Sequence, residues 1–325
     1  MQIQLTTRAT KKPQMTTFMP RCRFRKLFAL TLGIYICFTY SAYAQTVVCE
    51  LPCKNPSPSF LTPQTLIREL AKAQVVYLGE THDSAKDHEI QLKIIQELHK
   101  RNQKIAIALE MFQRPFQTVI DNYLSGKITE AEFLQQSEYE KRWGFSWELY
   151  APILRFAKQK QIPVLALNTR SEITRKVVRQ GLESLTPEER KQIPPESEIR
   201  TDNPEYRQML LAAFEQHQSA GHGNANSADR FFLAQVLWDE TMAETIANFV
   251  QVNPNHQVIV LAGQGHIVYG YGIPSRVARR LQRKQLIQRS VLLSLPEDFK
   301  TLTDKSIADF IWQPGLAKNV TKNRE

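Results

Sequence analysis

The stretch VVYLGETHDSAKDHE, residues 75–89, begins as an apolar run and ends as the start of a helix. Between these halves a glycine, a glutamate and a histidine lie within four residues, Gly79-Glu80-Thr81-His82. An apolar run that does not alternate with polar residues is typical of a strand covered on both faces. The stretch therefore predicts a buried strand, a polar turn and a helix, which together are the repeating unit of an α/β fold.

Apolar runs of strand length recur along the chain, and each is followed by a polar turn. They are Val75–Gly79, Ile105–Leu109, Val164–Leu167, Val258–Gly263 and Ser290–Leu295. Segments with helical periodicity of apolar residues separate them at 87–101, 147–159 and 228–250. This alternation predicts an α/β domain with a largely parallel open sheet of about five strands, flanked by helices. No strand is predicted within 171–255, which we interpret as a helical insertion.

Much of the basic charge is concentrated at the amino terminus. The chain carries 42 Lys and Arg and 32 Asp and Glu, but residues 1–44 contain 7 of the basic residues and no acid. The remaining chain is therefore nearly balanced, and no nucleic-acid partner is expected. A basic segment at Arg21–Lys26, an apolar segment at Leu27–Phe38 and Ala42-Tyr43-Ala44 predict a signal peptide and export to the periplasm or cell envelope. A retained leader that associates with the membrane is the open alternative.

Two cysteines follow the predicted cleavage site. Cys49 and Cys53 lie in the segment 45–67, where a disulfide can form in an oxidising compartment. Lipidation of Cys49 is the other possibility, although valines precede it where a lipidation signal has small residues. The α/β domain is predicted at 68–296, followed by a tail at 297–325 that we expect to be loosely ordered after Phe310.

Residues that can bind metals, protons or anions follow four of the predicted strands. They are Glu80 and His82, then Glu110, then Asn168 and Arg170, then His266 in Gly263-Gln264-Gly265-His266. In an open α/β sheet, ligands bind in the crevice beyond the carboxyl ends of the strands. We therefore expect these side chains to share one site.

Two chemistries suit this set of residues. His82, His266, Glu80 and Glu110 are candidate ligands of a divalent metal ion, because imidazole and carboxylate suit Zn, Mn and Fe(II). Without a metal, a carboxylate beside a histidine makes a general base, so Glu80 or Glu110 is the catalytic candidate of a hydrolase. Arg170 can hold a carboxylate through paired hydrogen bonds.

At these residues the chain resembles the ChaN-like haem-binding lipoproteins of the Tiki superfamily, which also includes TraB-type proteins and erythromycin-esterase-like enzymes. The resemblance covers residues 68–295. It is carried by LGETHD (78–83), ALEMF (108–112), WGFSWELYAPILRFA (143–157), LALNTR (165–170), AQVLWDETMA (234–243) and AGQGHIVYGYGIPSRV (262–277). It implies an α/β sheet with a helical subdomain, and haem binding in bacterial iron uptake by a dimer that holds paired haems. The weak lipidation signal at Cys49 departs from the family pattern.

The resemblance also implies roles for particular residues. The family's iron ligand is a tyrosine, and Tyr269 and Tyr271 are the candidates, since a phenolate oxygen suits ferric iron. Arg276 is the candidate partner of a haem propionate. Trp143, Arg170 and Asn168 complete the predicted cofactor-binding set.

Two functions remain open from the sequence. The first is an exported protein that binds haem or iron without turnover. The second is a metal-dependent peptidase or esterase, because other Tiki branches use the G-x-x-H pair with a glutamate, here His82, His266 and Glu110. We interpret His88, His99 and His256 as surface residues.

Overall fold

The computed structural model describes residues 47–50, 59–218, 225–294 and 305–313. The predicted signal peptide and Cys53 lie outside these described residues. Within them, no helix has both the length and the apolar character needed to cross a bilayer.

Eight strands form one sheet in the described part of the chain. They are β1 Val47–Glu50, β2 Ser59–Leu61, β3 Val75–Glu80, β4 Ile105–Gln113, β5 Val164–Asn168, β6 Gln257–Gly263, β7 Gln288–Leu292 and β8 Phe310–Gln313. Their order is β2-β1-β8-β7-β3-β6-β4-β5. Strands β3 to β8 pair in parallel, whereas β1 pairs antiparallel with both β8 and β2. The predicted largely parallel open sheet is confirmed.

Three strands were not predicted, and one was misplaced. Strands β1, β2 and β8 have only three or four residues each, too few for periodicity to distinguish them from loops. The expectation of a loose tail after Phe310 is wrong at β8, because Phe310, Ile311 and Trp312 are buried. Strand β7 begins two residues earlier than the predicted Ser290.

Eleven α-helices accompany the sheet in the described residues. They are α1 Pro63–Leu70, α2 Ala85–Arg101, α3 Gln117–Leu124, α4 Glu130–Gln136, α5 Tyr139–Arg142, α6 Trp147–Lys160, α7 Ser171–Gln180, α8 Pro187–Arg190, α9 Pro204–Gln218, α10 Ala225–Val252 and α11 Ile273–Leu281. Helices α7 to α10 connect β5 to β6, and the described residues between those strands contain no strand.

Helices cover both faces of the central strands, which explains why their sequences do not alternate. All residues of β3, β4 and β6 are buried. In β3, Val76 and Leu78 belong to the core that includes α1, α2 and α6, whereas Val75 and Tyr77 belong to the core that includes α10 and α11. Neighbouring side chains of a strand point to opposite faces, so a strand between two cores is apolar throughout.

The turn after β3 is fixed by short polar contacts. The Ser84 side chain caps α2 by accepting from the Asp87 backbone N–H at 3.2 Å. The Asp87 carboxylate in turn accepts from the Thr81 backbone N–H at 2.9 Å. These bonds hold the chain between strand and helix, and with it Glu80 and His82, in one conformation.

Glu130 connects α4 to two other helices. Its carboxylate accepts from the Arg155 guanidinium at 2.6 and 2.9 Å, from Trp147 Nε1 at 2.9 Å and from the Tyr123 hydroxyl at 2.9 Å. The hydrogen bonds from Arg155, with those from Trp147 and Tyr123, lower the pKa of Glu130 to about 2. The carboxylate therefore joins α3, α4 and α6 beside the sheet.

We expect Glu130→Gln to destabilise the fold at pH 7 by about 1 kcal/mol, since it removes charge-assisted hydrogen bonds at a partly exposed site. The folded pKa lies below the usual 4.5, so the stabilisation is complete above pH 4.5 and is lost as the pH falls through about 2. Urea unfolding of both proteins between pH 2 and 7 measures this difference. A difference that stays constant down to pH 2 contradicts the assigned charge state.

Candidate functional site

Three side chains predicted from the strand ends lie together at the carboxyl edge of the sheet. Strand β6 lies between β3 and β4, with Gly263 opposite Glu80. Glu110 Oε1 lies 3.3 Å from His266 Nε2, and Glu110 Oε2 accepts from the Gly263 backbone N–H at 2.7 Å. A Cβ added to Gly263 would lie 3.0 Å from His82 Nε2. We call the space shared by His82, Glu110 and His266 the strand-end cleft.

Glu80 lies behind His82. One carboxylate oxygen pairs with His82 Nδ1 at 2.9 Å and accepts from the Tyr150 hydroxyl at 2.7 Å. The other accepts from Gln91 Nε2 at 2.5 Å. Because protein groups engage both oxygens and the residue is only 3% exposed, Glu80 stands as a support for the imidazole.

His266 has a comparable support on its other side. Its Nδ1 lies 2.7 Å from Asp239 Oδ1, and the second Asp239 oxygen accepts from the Tyr206 hydroxyl at 2.5 Å. The side-chain amide of Gln235 lies 3.0 Å from the same ring nitrogen. Gln235, Asp239 and Tyr206 were not predicted from the sequence. The available signal was a pair of polar residues four positions apart, Gln235 and Asp239, which lie on one face of α10.

The cleft residues change one another's ionisation. Burial opposes the charged form of His266, but the charges of Glu110 and Asp239 outweigh it and raise the pKa of His266 to about 10. Burial likewise opposes ionisation of Glu110, but His266, His82 and the Gly263 amide lower the pKa of Glu110 to about 2. For His82, burial is outweighed by Glu80 and Glu110, so its pKa is also raised. An imidazolium–carboxylate pair therefore occupies the centre of the cleft.

The cleft is more open on the His82 side. The His82 side chain is 27% exposed, against 7% for His266. Its ring packs against Trp143 at 4.8 Å and Phe145 at 5.0 Å between ring centroids. Of the predicted cofactor-binding residues, Trp143 is thus the one in direct contact with a histidine of the cleft.

The other strand-end residues lie at the end of β5. Asn168 Oδ1 accepts from the backbone N–H of Thr169 at 2.8 Å, so its side chain caps the strand end. The Arg170 side chain is 41% exposed and lies 3.6 Å from the carboxylate of Glu172. An added anion would therefore compete with the Glu172 carboxylate for the Arg170 guanidinium.

The haem candidates near the second G-x-x-H motif are buried. Tyr269 and Tyr271 are 3% and 7% exposed, and their ring centroids lie 5.4 Å apart. Arg276 is 4% exposed, with its Nε 3.2 Å from the buried Glu240 carboxylate. Its Nη1 donates to the backbone carbonyls of Tyr271 and Gly272. Acceptors within the protein therefore already engage the guanidinium of Arg276, which was predicted to bind a haem propionate.

The interpretation of His88 as a surface residue is wrong. The side chain is 3% exposed, with ring nitrogens 3.0 Å from Gln91 Oε1 and 3.0 Å from the His82 backbone carbonyl. Gln91 lies three residues further along α2, whereas the turn before the helix supplies the His82 carbonyl. His99 and His256 are partly exposed.

The donor chemistry of the cleft fits a divalent cation. Its two imidazoles and one carboxylate are the ligand types of zinc and related metals, and each imidazole has its Nδ1 on a second carboxylate, as in metal sites. Across the described residues, however, no group of three or more His, Cys, Asp or Glu side chains is spaced as a formed metal site. Glu110 and His266 are instead paired with each other.

We expect Gly263→Ala to displace the His82 imidazole, because the new methyl group would lie 3.0 Å from the ring. The cost in free energy of unfolding should be about 1–3 kcal/mol, as for other overpacked sites. In a His82→Ala background the same substitution should cost much less, so chemical denaturation of the four proteins in this cycle should show strong coupling. Additive costs would mean that the ring does not occupy the space beside Gly263.

Comparison with known proteins agrees with this architecture. Residues 66–277, 212 of the 325 in the chain, match the family described as haem-binding uptake, Tiki superfamily, ChaN. The structure is similar to that of ChaN of Campylobacter jejuni, described with cofacial haem binding. The TM-score is 0.65 at 20% identity, over 84% of this chain and 98% of that one, a likeness of fold. An erythromycin esterase, EreC, in its open conformation matches with a TM-score of 0.44 at 16% identity, over 77% of this chain and 78% of that one.

A curated relative is the chloroplastic protein RETICULATA-RELATED 5 of Arabidopsis thaliana, 26% identical over 266 residues. The alignment covers 75% of this chain but only 34% of the plant protein. The family match extends over well over half of the chain and contains both G-x-x-H motifs and Glu110. The chain therefore belongs to the ChaN family of haem-binding uptake proteins in the Tiki superfamily.

Proposed function

We propose that this protein binds haem and acts in haem or iron uptake after export from the cytoplasm. The single observation that carries the proposal is the family match over residues 66–277. The fold shared with the Campylobacter protein, whose description names cofacial haem binding, supports it. The signal-peptide pattern of residues 1–44 supports export, and a retained leader would keep the protein at the membrane.

Tyr269 is the better of the two candidate iron ligands. It lines a cavity of about 200 Å³ together with Pro274 and Arg289. Arg289 is partly exposed, with its Nη1 3.8 Å from Asp309 Oδ1, and it replaces Arg276 in this proposal as the cation that meets a haem propionate. A phenolate oxygen is a hard donor that suits ferric iron.

The volume of this cavity is relevant to whether haem binding involves a second copy of the protein. Pockets that enclose drug-sized ligands have about 300–1,000 Å³, so a cavity of about 200 Å³ does not enclose a porphyrin. In our proposal the plate covers the mouth of the cavity, and its outer face is left for a second haem or a second protein copy. A haem-linked homodimer is therefore part of the proposal.

Hemin titration of the purified protein should give a shifted Soret band with a saturable binding curve. Tyr269→Phe should weaken hemin binding by about tenfold or more, since each tenfold corresponds to about 1.4 kcal/mol. Tyr271→Phe is the matched control, because it makes the same change two residues away and should leave the band unchanged. Sedimentation velocity with and without hemin tests the dimer.

No Soret shift with the wild-type protein would overturn the haem proposal. A shift that survives both tyrosine substitutions would retain haem but reject ligation from this loop. Loss of the shift in both variants alike would indicate damage to the shared core, which a urea unfolding curve of each variant identifies.

The geometry of the strand-end cleft favours a second candidate function, a metal-dependent hydrolase of peptides or esters. His82, His266 and Glu110 would hold a divalent ion, which would supply an activated water at neutral pH. The protein's own part is to fix both imidazoles, hold Glu110 through the Gly263 amide and leave the His82 side open to a substrate. This function uses a different part of the molecule from the Tyr269 cavity.

Metal analysis after dialysis against Zn²⁺, Mn²⁺ or Co²⁺ tests the second candidate. The wild-type protein should retain about one ion per chain, and His266→Ala should retain at least tenfold less at the same free metal concentration. His99→Ala is the control, because His99 is a partly exposed residue of α2. Absence of stoichiometric metal, together with no hydrolysis of ester or peptide substrates, would reject it.

A further inference from the structure

The two histidines of the strand-end cleft are held by the same arrangement of hydrogen-bonded groups. On one side, the Tyr150 hydroxyl donates to Glu80, whose carboxylate pairs with His82 Nδ1. On the other side, the Tyr206 hydroxyl donates to Asp239, whose carboxylate pairs with His266 Nδ1. We call each set a relay, defined as a tyrosine, a carboxylate and an imidazole.

The relays come from unrelated parts of the chain. The first joins α6 to the end of β3 and the turn after it, and the second joins α9 and α10 to the segment after β6. No local sequence pattern makes a tyrosine on one helix donate to a carboxylate on another element. The repetition of the same three groups around both imidazoles therefore points to a shared requirement at the cleft.

The supporting groups are too deeply buried to be incidental. Tyr150, Tyr206 and Asp239 are 0% exposed and Glu80 is 3% exposed. Burying a carboxylate costs several kcal/mol unless it is paired, and well-packed apolar residues often serve stability as well or better. Stability alone therefore gives little reason to place two carboxylates and two tyrosine hydroxyls here.

The relays determine which ring nitrogen each histidine presents. With Nδ1 of both rings on a carboxylate, the remaining nitrogen is Nε2 in each case. His266 Nε2 faces Glu110 at 3.3 Å, and His82 Nε2 lies beside Gly263, whose backbone N–H holds the same Glu110. The two relays thus aim two imidazole nitrogens at one carboxylate.

We propose that Glu80 with Tyr150, and Asp239 with Tyr206, are positioning residues that fix the rings of His82 and His266 so that both Nε2 atoms face Glu110. This inference rests on the proposed cation site in the cleft and assigns Glu80 to support, not to ligation. The relays differ in access: the buried His266 is the fixed partner, and the more exposed His82 is the one that meets an incoming ligand.

The orientation is read directly by NMR of the metal-free protein. A proton on Nδ1 that is hydrogen-bonded to a buried carboxylate exchanges slowly and resonates at low field. The wild type should therefore show one such Nδ1 signal from His82 and one from His266. Asp239→Asn should remove or strongly shift the His266 signal and leave that of His82. Glu80→Gln should do the reverse, and Tyr206→Phe should shift only the His266 signal.

Binding of Co²⁺, followed by its visible absorption, supplies the second readout. Loss of a group that orients a metal-bound histidine costs about 10–100-fold in metal affinity, so Tyr206→Phe and Tyr150→Phe should both weaken Co²⁺ binding. Tyr77→Phe is the matched control. Tyr77 is also fully buried with its hydroxyl donating to a side chain, Gln288, but it belongs to neither relay.

The outcomes separate the two proposals. If the wild type binds no Co²⁺, the cation site fails, while the NMR signals still decide whether the relays orient the rings. If the carboxamide variants do not fold, the tyrosine variants carry the test, since they remove one hydroxyl each. Low-field signals that are unchanged in Tyr206→Phe and Tyr150→Phe, or Co²⁺ affinity lowered equally by Tyr77→Phe, would overturn the positioning roles.

Discussion

The parallel pairing of β6 with both β3 and β4 is the constraint on which the rest of this structure depends. It places Glu80 opposite Gly263 and Leu109 opposite Leu261, so the residues that follow all three strands emerge at one edge. A shift of one residue would turn each side chain to the other face of the sheet. Because helices cover both faces of the sheet, the paired strands also lie between the two hydrophobic cores.

This edge of the sheet buries several carboxylates, which need partners within the protein. Glu80, Glu110 and Asp239 are buried carboxylates, and His82 and His266 are the only described partners of opposite charge in ion pairs with them, apart from His88 beside Glu80. Three buried carboxylates thus lie beside two cleft imidazoles, so acidic groups outnumber basic ones in these ion pairs. Hydrogen bonds from tyrosines, a glutamine and a backbone amide compensate for the lost hydration. Such an environment favours a cation.

The two proposed functions belong to different parts of the same fold. The cavity that Tyr269 lines includes residues of β7 and Asp309, beside strand β8, whereas the cleft lies at the carboxyl ends of β3, β4 and β6. Haem binding at the Tyr269 cavity and cation binding in the strand-end cleft therefore involve different residues. The family match bears on the first, and the side-chain geometry bears on the second.

The sequence by itself determined the strand–turn–helix units and the residues at the strand ends, because a buried strand and an amphipathic helix each impose a local period on apolar positions. It therefore yielded the parallel sheet and three members of the cleft, His82, Glu110 and His266. Only the tertiary structure decided which distant side chains support them, since Tyr150, Tyr206 and Asp239 lie on helices whose pattern reports burial but not partners. It also decided that Arg276 pairs with Glu240 and that Glu80 stands behind His82, because contacts between distant segments depend on how helices pack on the sheet.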